Sequence, residues 1–181
     1  WHLTLQLPSG RLLDNDQVEH QKGLREIAKI HQGNFRMTCN QNVIIAGVAE
    51  DDKAAIDALV EKYQLAAYKT SSPLRQQAIA CVALPTCGLA MAESERYLPT
   101  ILDKLEALLT QHGLQQEEVH FRISGCPNGC SRPYLGEIAL IGRSIGRYDL
   151  RLGADQQGER LNALYEENLT EAEILAILDE L

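Results

Sequence analysis

Four cysteines fall into two short clips, Cys81-x5-Cys87 and Cys126-x3-Cys130. The second clip lies in the string Gly125-Cys126-Pro127-Asn128-Gly129-Cys130-Ser131. Two such clips match the needs of a 4Fe-4S cube, in which each iron takes one sulfur from the protein. Backbone amides near glycine can point at such a cluster and stabilise its negative charge. Structural zinc also takes four thiolates, but its clips usually bracket about two to four residues. The residues between Cys81 and Cys87, Val82-Ala83-Leu84-Pro85-Thr86, are mostly apolar. That suits a cluster packed on a core better than a zinc knuckle. Inert buried thiols are the third alternative. Four of five cysteines falling into two clips argues against it.

The remaining polar residues carry weaker signals. Cys39 alternates with Phe35 and Met37 and has no neighbouring cysteine, so it is expected in the core. Asn128-Gly129 is a favoured turn pair, which explains Asn128 without any ligand. Arg36, Arg122, Arg132, Arg143, Arg147 and Arg151 are notable in an acidic chain, and several should project from polar strand faces. Most arginines pair with carboxylates or water, while a few bind oxyanions. The five histidines are scattered and form no metal clip. No Ser/His/Asp set, phosphate loop or dinucleotide fingerprint is present, so hydrolase and nucleotide-binding chemistry lack support.

The elements that position the clips follow from periodicity. Trp1, Leu3, Leu5 and Leu7 alternate with polar residues, as in a half-buried strand. Leu24, Ile27 and Ala28 have helical spacing, which Gly33-Asn34 ends. Phe35, Met37 and Cys39 predict a second strand with a polar opposite face. Val43 to Val48 predicts a buried strand. Ile56, Leu59, Val60 and Tyr63 predict a helix. The order strand, helix, strand, strand, helix suggests a ferredoxin-like α+β unit. Thr70-Ser71-Ser72-Pro73 is the best boundary. Beyond it, Ile79 to Leu84 predicts a short strand carrying Cys81. Leu98, Ile101, Leu102, Leu105, Leu108 and Leu109 predict an amphipathic helix, closed by Gly113. Val119, Phe121 and Ile123, alternating with His120 and Arg122, predict a strand running into Cys126. Ile138 to Ile141 and Tyr148 to Leu152 predict two more strands joined through Gly142 and Gly146. Thr170-Glu171-Ala172-Glu173 is a capping box opening a last helix.

Bulk properties bound the function. A chain of 181 residues can hold one ordinary domain or two small ones. Its net charge of −8 argues against nucleic-acid partners, which need a basic surface. No apolar run approaches a membrane span, and no signal peptide is visible. An odd cysteine count without signs of export favours reduced thiols or a metal cluster over disulfides. The chain starts at Trp1, and Ile174 to Leu181 still follow a helical pattern. The expectation is a piece of a longer protein, cut at both ends.

Cys81-x5-Cys87 with Cys126-Pro127-Asn128-Gly129-Cys130 resembles the cluster signature of the sirohaem-dependent sulfite and nitrite reductases. The stretch from Phe35 to Val48 is similar to the ferredoxin-like half-domain of that family. Gly146-Arg147-Tyr148 and the stretch from Tyr165 to Glu171 are most similar to its bacterial assimilatory branch, the haemoprotein (beta) subunits that reduce sulfite. The resemblance implies an α+β chain with a ferredoxin-like half-domain over residues 1–70. An α/β iron–sulfur and sirohaem-binding domain would follow over 71–181. It implies that Cys81, Cys87, Cys126 and Cys130 ligate a 4Fe-4S cluster and that Cys130 also bridges to the sirohaem iron. Asn128 would reach the cofactor beside the cluster. It implies a cytoplasmic sulfite reductase fed by an NADPH-oxidising flavoprotein (alpha) subunit, and a chain that is inactive alone because the substrate-binding half is missing. No catalytic residue is assigned here. A sirohaem nitrite reductase shares these cofactors. An iron–sulfur electron carrier and a zinc-stabilised binding module are the alternatives outside that chemistry.

Overall fold

In the computed structural model, which describes residues 1–16, 18–66 and 69–181, the chain divides into the units Trp1–Ser71 and Ser72–Leu181. The first unit has the element order that its periodicity suggests. β1 (His2–Leu5) is followed by α1 (His20–Ile30), β2 (Asn34–Met37), β3 (Val43–Ala46) and α2 (Glu50–Lys62). The sheet order is β1-β3-β2, with both pairings antiparallel. Leu3 stands opposite Ile45, and Leu5 opposite Val43, so these side chains share a face. Ile27 of α1 and Ile56 and Val60 of α2 close the core against Leu5, Val43 and Ile45. Each such burial contributes about 1.5–3 kcal/mol. Glu50, Asp51 and Asp52 in the first turn of α2 complement its dipole.

Phe35, Met37 and Cys39 depart from the expected buried face. Phe35 pairs with Ile45 and Met37 with Val43, which puts them on the core side of the sheet. Yet β2 is an outer strand that the helices leave uncovered, and the two side chains are 41% and 75% exposed. Cys39 is also exposed, because it lies in the turn after β2. The Thr38 hydroxyl accepts from Asn40 N at 3.3 Å and from Asn42 N at 3.0 Å. This local side-chain turn ends the strand alternation before Cys39.

The second unit contains α3 (Pro73–Gln77), β4 (Ile79–Ala80), α4 (Leu98–Gln111), β5 (Phe121–Ser124), β6 (Ile138–Ser144), β7 (Arg147–Leu152), β8 (Ala163–Thr170) and α5 (Glu171–Glu180). Its sheet order is β4-β5-β6-β7-β8. β4, β5 and β6 run parallel, and the remaining pairs are antiparallel. Parallel neighbours need a crossover, which α4 supplies between β4 and β5. Leu98, Ile101, Leu102 and Leu105 recur at helical spacing and are buried. They pack in one core with Phe121, Ile123, Leu140, Leu150 and Ile174.

Polar ties join α4 to α5. Thr170 opens α5 with the expected capping box. The Tyr97 hydroxyl donates to Glu171 at 2.7 Å, and Lys104 pairs with the same carboxylate. The Lys104 and Tyr97 bonds hold the Glu171 carboxyl below its ordinary range. Burial pushes the Tyr97 phenol up, and its ring stacks on Tyr148 at 5.6 Å between centroids.

Five further details differ from the sequence expectation. β4 ends at Ala80 rather than Leu84, and the left-handed Ala83 (φ 46°) lies in the turning chain beyond it. Arg122 is 6% exposed instead of facing water, because β5 lies between two parallel neighbours and all four of its residues are buried. Gly142 lies within β6, not in the turn to β7. β8 and α3 carried no recognised signal. β8 is an edge strand exposed along most of its length, so no alternation marks it. α3 is a short helix opened by Pro73 and by the Ser72 hydroxyl, which accepts from Arg75 N at 3.2 Å. Among the described residues, no helix is long and apolar enough to cross a membrane.

Candidate metal centre

β4 and β5 lie side by side, with Ile79 opposite Arg122 and Ala80 opposite Ile123. Each strand leaves the sheet at its C-terminal end into a loop that carries one cysteine clip. In open sheets with parallel strands, ligand sites gather at this edge. The base of the first loop is tied to β5, where Cys81 N donates to Ile123 O at 3.2 Å, and closes on itself where Glu95 N donates to Cys81 O at 3.0 Å. Ser94 Oγ adds a bond to Ile123 O at 2.7 Å. Farther out, Cys87 N donates to Ala83 O at 2.8 Å and Ala90 N to Cys87 O at 3.2 Å.

The second loop begins with a tight turn in which Gly129 N donates to Cys126 O at 3.4 Å. Gly129 has φ +70°, a left-handed conformation that glycine adopts without steric cost. Asn128 is exposed in this turn. Beneath the turn, the buried hydroxyls of Ser124 and Ser131 bond to each other at 2.6 Å, and Ser131 N also donates to Ser124 Oγ. The outgoing chain is held by Asn162, which is buried. Its Nδ2 donates to Pro133 O at 2.7 Å and Gly136 O at 2.8 Å. Its Oδ1 accepts from Arg151 Nε at 2.9 Å, and the Arg151 guanidinium lies over the Tyr134 ring at 4.9 Å.

All five cysteines are free thiols. Cys126 is 8% exposed, Cys81 and Cys87 are half-buried, and Cys130 is exposed. Gly125 N–H donates to Cys81 Sγ at 3.2 Å, which joins the clips directly. Cys81 therefore lies against the start of the second clip, while Cys87 and Cys130 sit farther along their loops. Cys39 belongs to the other unit. Val82, Leu89 and Met91 add exposed apolar surface to the first loop.

Of the arginines singled out from the sequence, three are engaged within the sheet. Arg143 pairs with Asp149 at 2.6 Å and Glu167 at 3.1 Å. Arg147 donates to Asn168 O at 2.7 Å, and Arg151 binds Asn162. Sequence reasoning missed Ser124, Ser131 and Asn162. The serines flank the clip, Ser124 two residues before Cys126 and Ser131 one after Cys130, which is a visible signal. Asn162 has none, because its partners are distant in the chain.

The described residues contain no group of three or more His, Cys, Asp or Glu side chains placed to share one metal ion. A cube is ligated differently, with each thiolate on its own iron, so its cysteines stand around a cluster and not on a point. Four free thiols on two loops at one sheet edge, with an amide already donating to one sulfur, fit that donor requirement.

The Nitrite/Sulfite reductase ferredoxin-like half domain family matches residues 1–63. The "Sulfite reductase (NADPH) hemoprotein beta-component" of Xanthomonas oryzae pv. oryzae (strain PXO99A) is 59% identical over the whole of this chain. The protein of the same name from Myxococcus xanthus (strain DK1622) is 56% identical, also over the whole chain. The chain spans 32% of the length of each, about a third. Among solved structures, the Mycobacterium tuberculosis NirA protein superposes with a TM-score of 0.74 over 98% of this chain and 34% of its own, at 19% identity. That likeness shows a shared fold.

Proposed function

The chain belongs to the nitrite and sulfite reductase family, and on that premise we propose that it is the cluster-bearing part of an assimilatory sulfite reductase haemoprotein subunit. Cys81, Cys87, Cys126 and Cys130 would hold a 4Fe-4S cluster. Cys130, the exposed member of the second clip, would also ligate the sirohaem iron, with Asn128 at the cofactor's edge. When bound, the cluster and sirohaem would supply the electron transfer by which sulfur falls from +4 in sulfite to −2 in sulfide, a six-electron change.

The chain's own contribution is to hold the ligands still. The Ser124–Ser131 pair and Asn162 fix both ends of the second clip, and the bonds to Ile123 O and Gly125 O fix the first. No side chain here is assigned to substrate. Electrons would come from an NADPH-oxidising flavoprotein, the alpha partner that the relatives' beta-component name implies, in the cytoplasm.

The observation that carries this reading is the placement of both cysteine clips on adjacent parallel strand ends, joined by Gly125 N–H and Cys81 Sγ. Its test is purification without oxygen, followed by iron, sulfide and zinc analysis and an absorbance spectrum. About four irons and four sulfides per chain are expected, the content of one cube. Haem-like bands would add sirohaem to what this chain holds. Zinc without sulfide would overturn the redox reading in favour of a binding module.

A further inference from the structure

Gly125 is where the two cysteine loops meet. Its N–H donates to Cys81 Sγ at 3.2 Å. Its carbonyl accepts from Met91 N at 2.8 Å and Ala92 N at 3.0 Å. The residue is thus bonded to the first loop through both of the peptide units that flank its Cα. A Cβ on Gly125 would stand 2.5 Å from Ala83 Cβ and 2.7 Å from Ala92 O. Immediately behind it lies Gly142 of β6, where a Cβ would stand 2.5 Å from Gly125 O and 2.7 Å from Ala92 Cβ. Real Cβ atoms essentially never approach so closely, so a side chain at either position would force its neighbours to shift. Neither glycine needs left-handed backbone here; the requirement is close approach.

We infer that this seam of Gly125, Gly142, Ala83 and Ala92 sets the strength of the Gly125 N–H···Sγ bond and, through it, the reduction potential of the cluster. The inference rests on the cluster reading above. The physical reason is electrostatic. The amide turns the positive end of its dipole toward the Cys81 sulfur. Reduction adds one electron, taken from the titrant, and no bond is made or broken. The reduced cluster carries more negative charge, so the same donor stabilises it more than the oxidised form and raises the potential. Gly142 does not touch the thiolate. It is a positioning residue that leaves Gly125 room to lie where its N–H meets the sulfur.

The test is Gly142→Ala in the cluster-loaded protein, with iron and sulfide analysis and a reductive titration followed by electron paramagnetic resonance. The added methyl presses on the Gly125 carbonyl and displaces the Gly125 Cα, and with it the N–H on the other side of that Cα. Wild-type iron content with a lower midpoint potential is the expected result. Wild-type iron content with an unchanged potential overturns the inference. Should the single variant lose iron, Gly142→Ala with Ala92→Gly removes the clash with Ala92 Cβ and keeps the pressure on Gly125. Its potential is then the deciding reading, with the same two outcomes. Loss of iron from both variants also overturns the inference, because the seam would then serve assembly and not tuning. Absence of iron and sulfide from the wild type is a different failure, that of the cluster reading itself.

Discussion

At the scale of residues, the site depends on which thiols share an edge, and the exposed cysteines are not equivalent. Cys39 and Cys130 are both exposed, yet only Cys130 lies on a loop that meets another cysteine-bearing loop. Cys126→Ser is expected to cut bound iron from about four per chain, the content of one cube, to well below that. Cys39→Ser should leave the content unchanged. Equal loss in both variants would refute the assignment of ligands to the second unit. The grouping of four cysteines into two clips was legible because their spacing is local and chemically restrictive. Cys39 was misread because alternation with Phe35 and Met37 takes no account of where a strand stops. The Thr38 hydroxyl turned the chain one residue too early for the pattern. Arg122 was misread for the opposite reason: a charged residue in an alternating run suggests a wet face, whereas β5 has both faces covered.

At the scale of elements, the unit is held by α4 and α5, and the tie between them depends on pH. Glu171 accepts from Tyr97 and pairs with Lys104, which holds its carboxyl below the ordinary value. The unfolded carboxyl therefore takes up its proton first as pH falls. The tie contributes stability that is fully present above the unfolded value and is lost as pH drops through the folded one. Thermal melting followed from about pH 6 to about pH 3, the range that brackets carboxylate titration, should show this. Glu171→Gln is expected to melt below wild type at the upper end and to converge with it at the acid end. A constant gap across the range would exclude the coupling. Elements with a full apolar stripe, such as α4, were readable from spacing. β8 was not, since an edge strand exposed along most of its length has no burial to write into its sequence.

At the scale of the whole molecule, a third of the length of its relatives carries both clips but no assigned substrate group. The proposed function therefore expects no sulfide from sulfite when this chain alone is given a chemical reductant. Sulfide release above the blank would refute the division of labour. The first unit's element order was readable because its strands and helices alternate locally. The second unit's sheet was only half readable, because the β4–β5 pairing joins segments separated by the α4 crossover. That pairing also governs how the centre matures. Each clip forms from nearby residues, but the two clips meet only after the chain between them has closed its loop and β5 has docked on β4. Closing such a long loop costs entropy before any contact repays it. A nascent chain that has emerged only past Cys87 holds half of the proposed ligand set and would have nothing to retain a cluster with. On the proposed cluster reading, cofactor loading would follow folding, and a β4–β5 defect would show first as thiols that stay open to oxidation during synthesis.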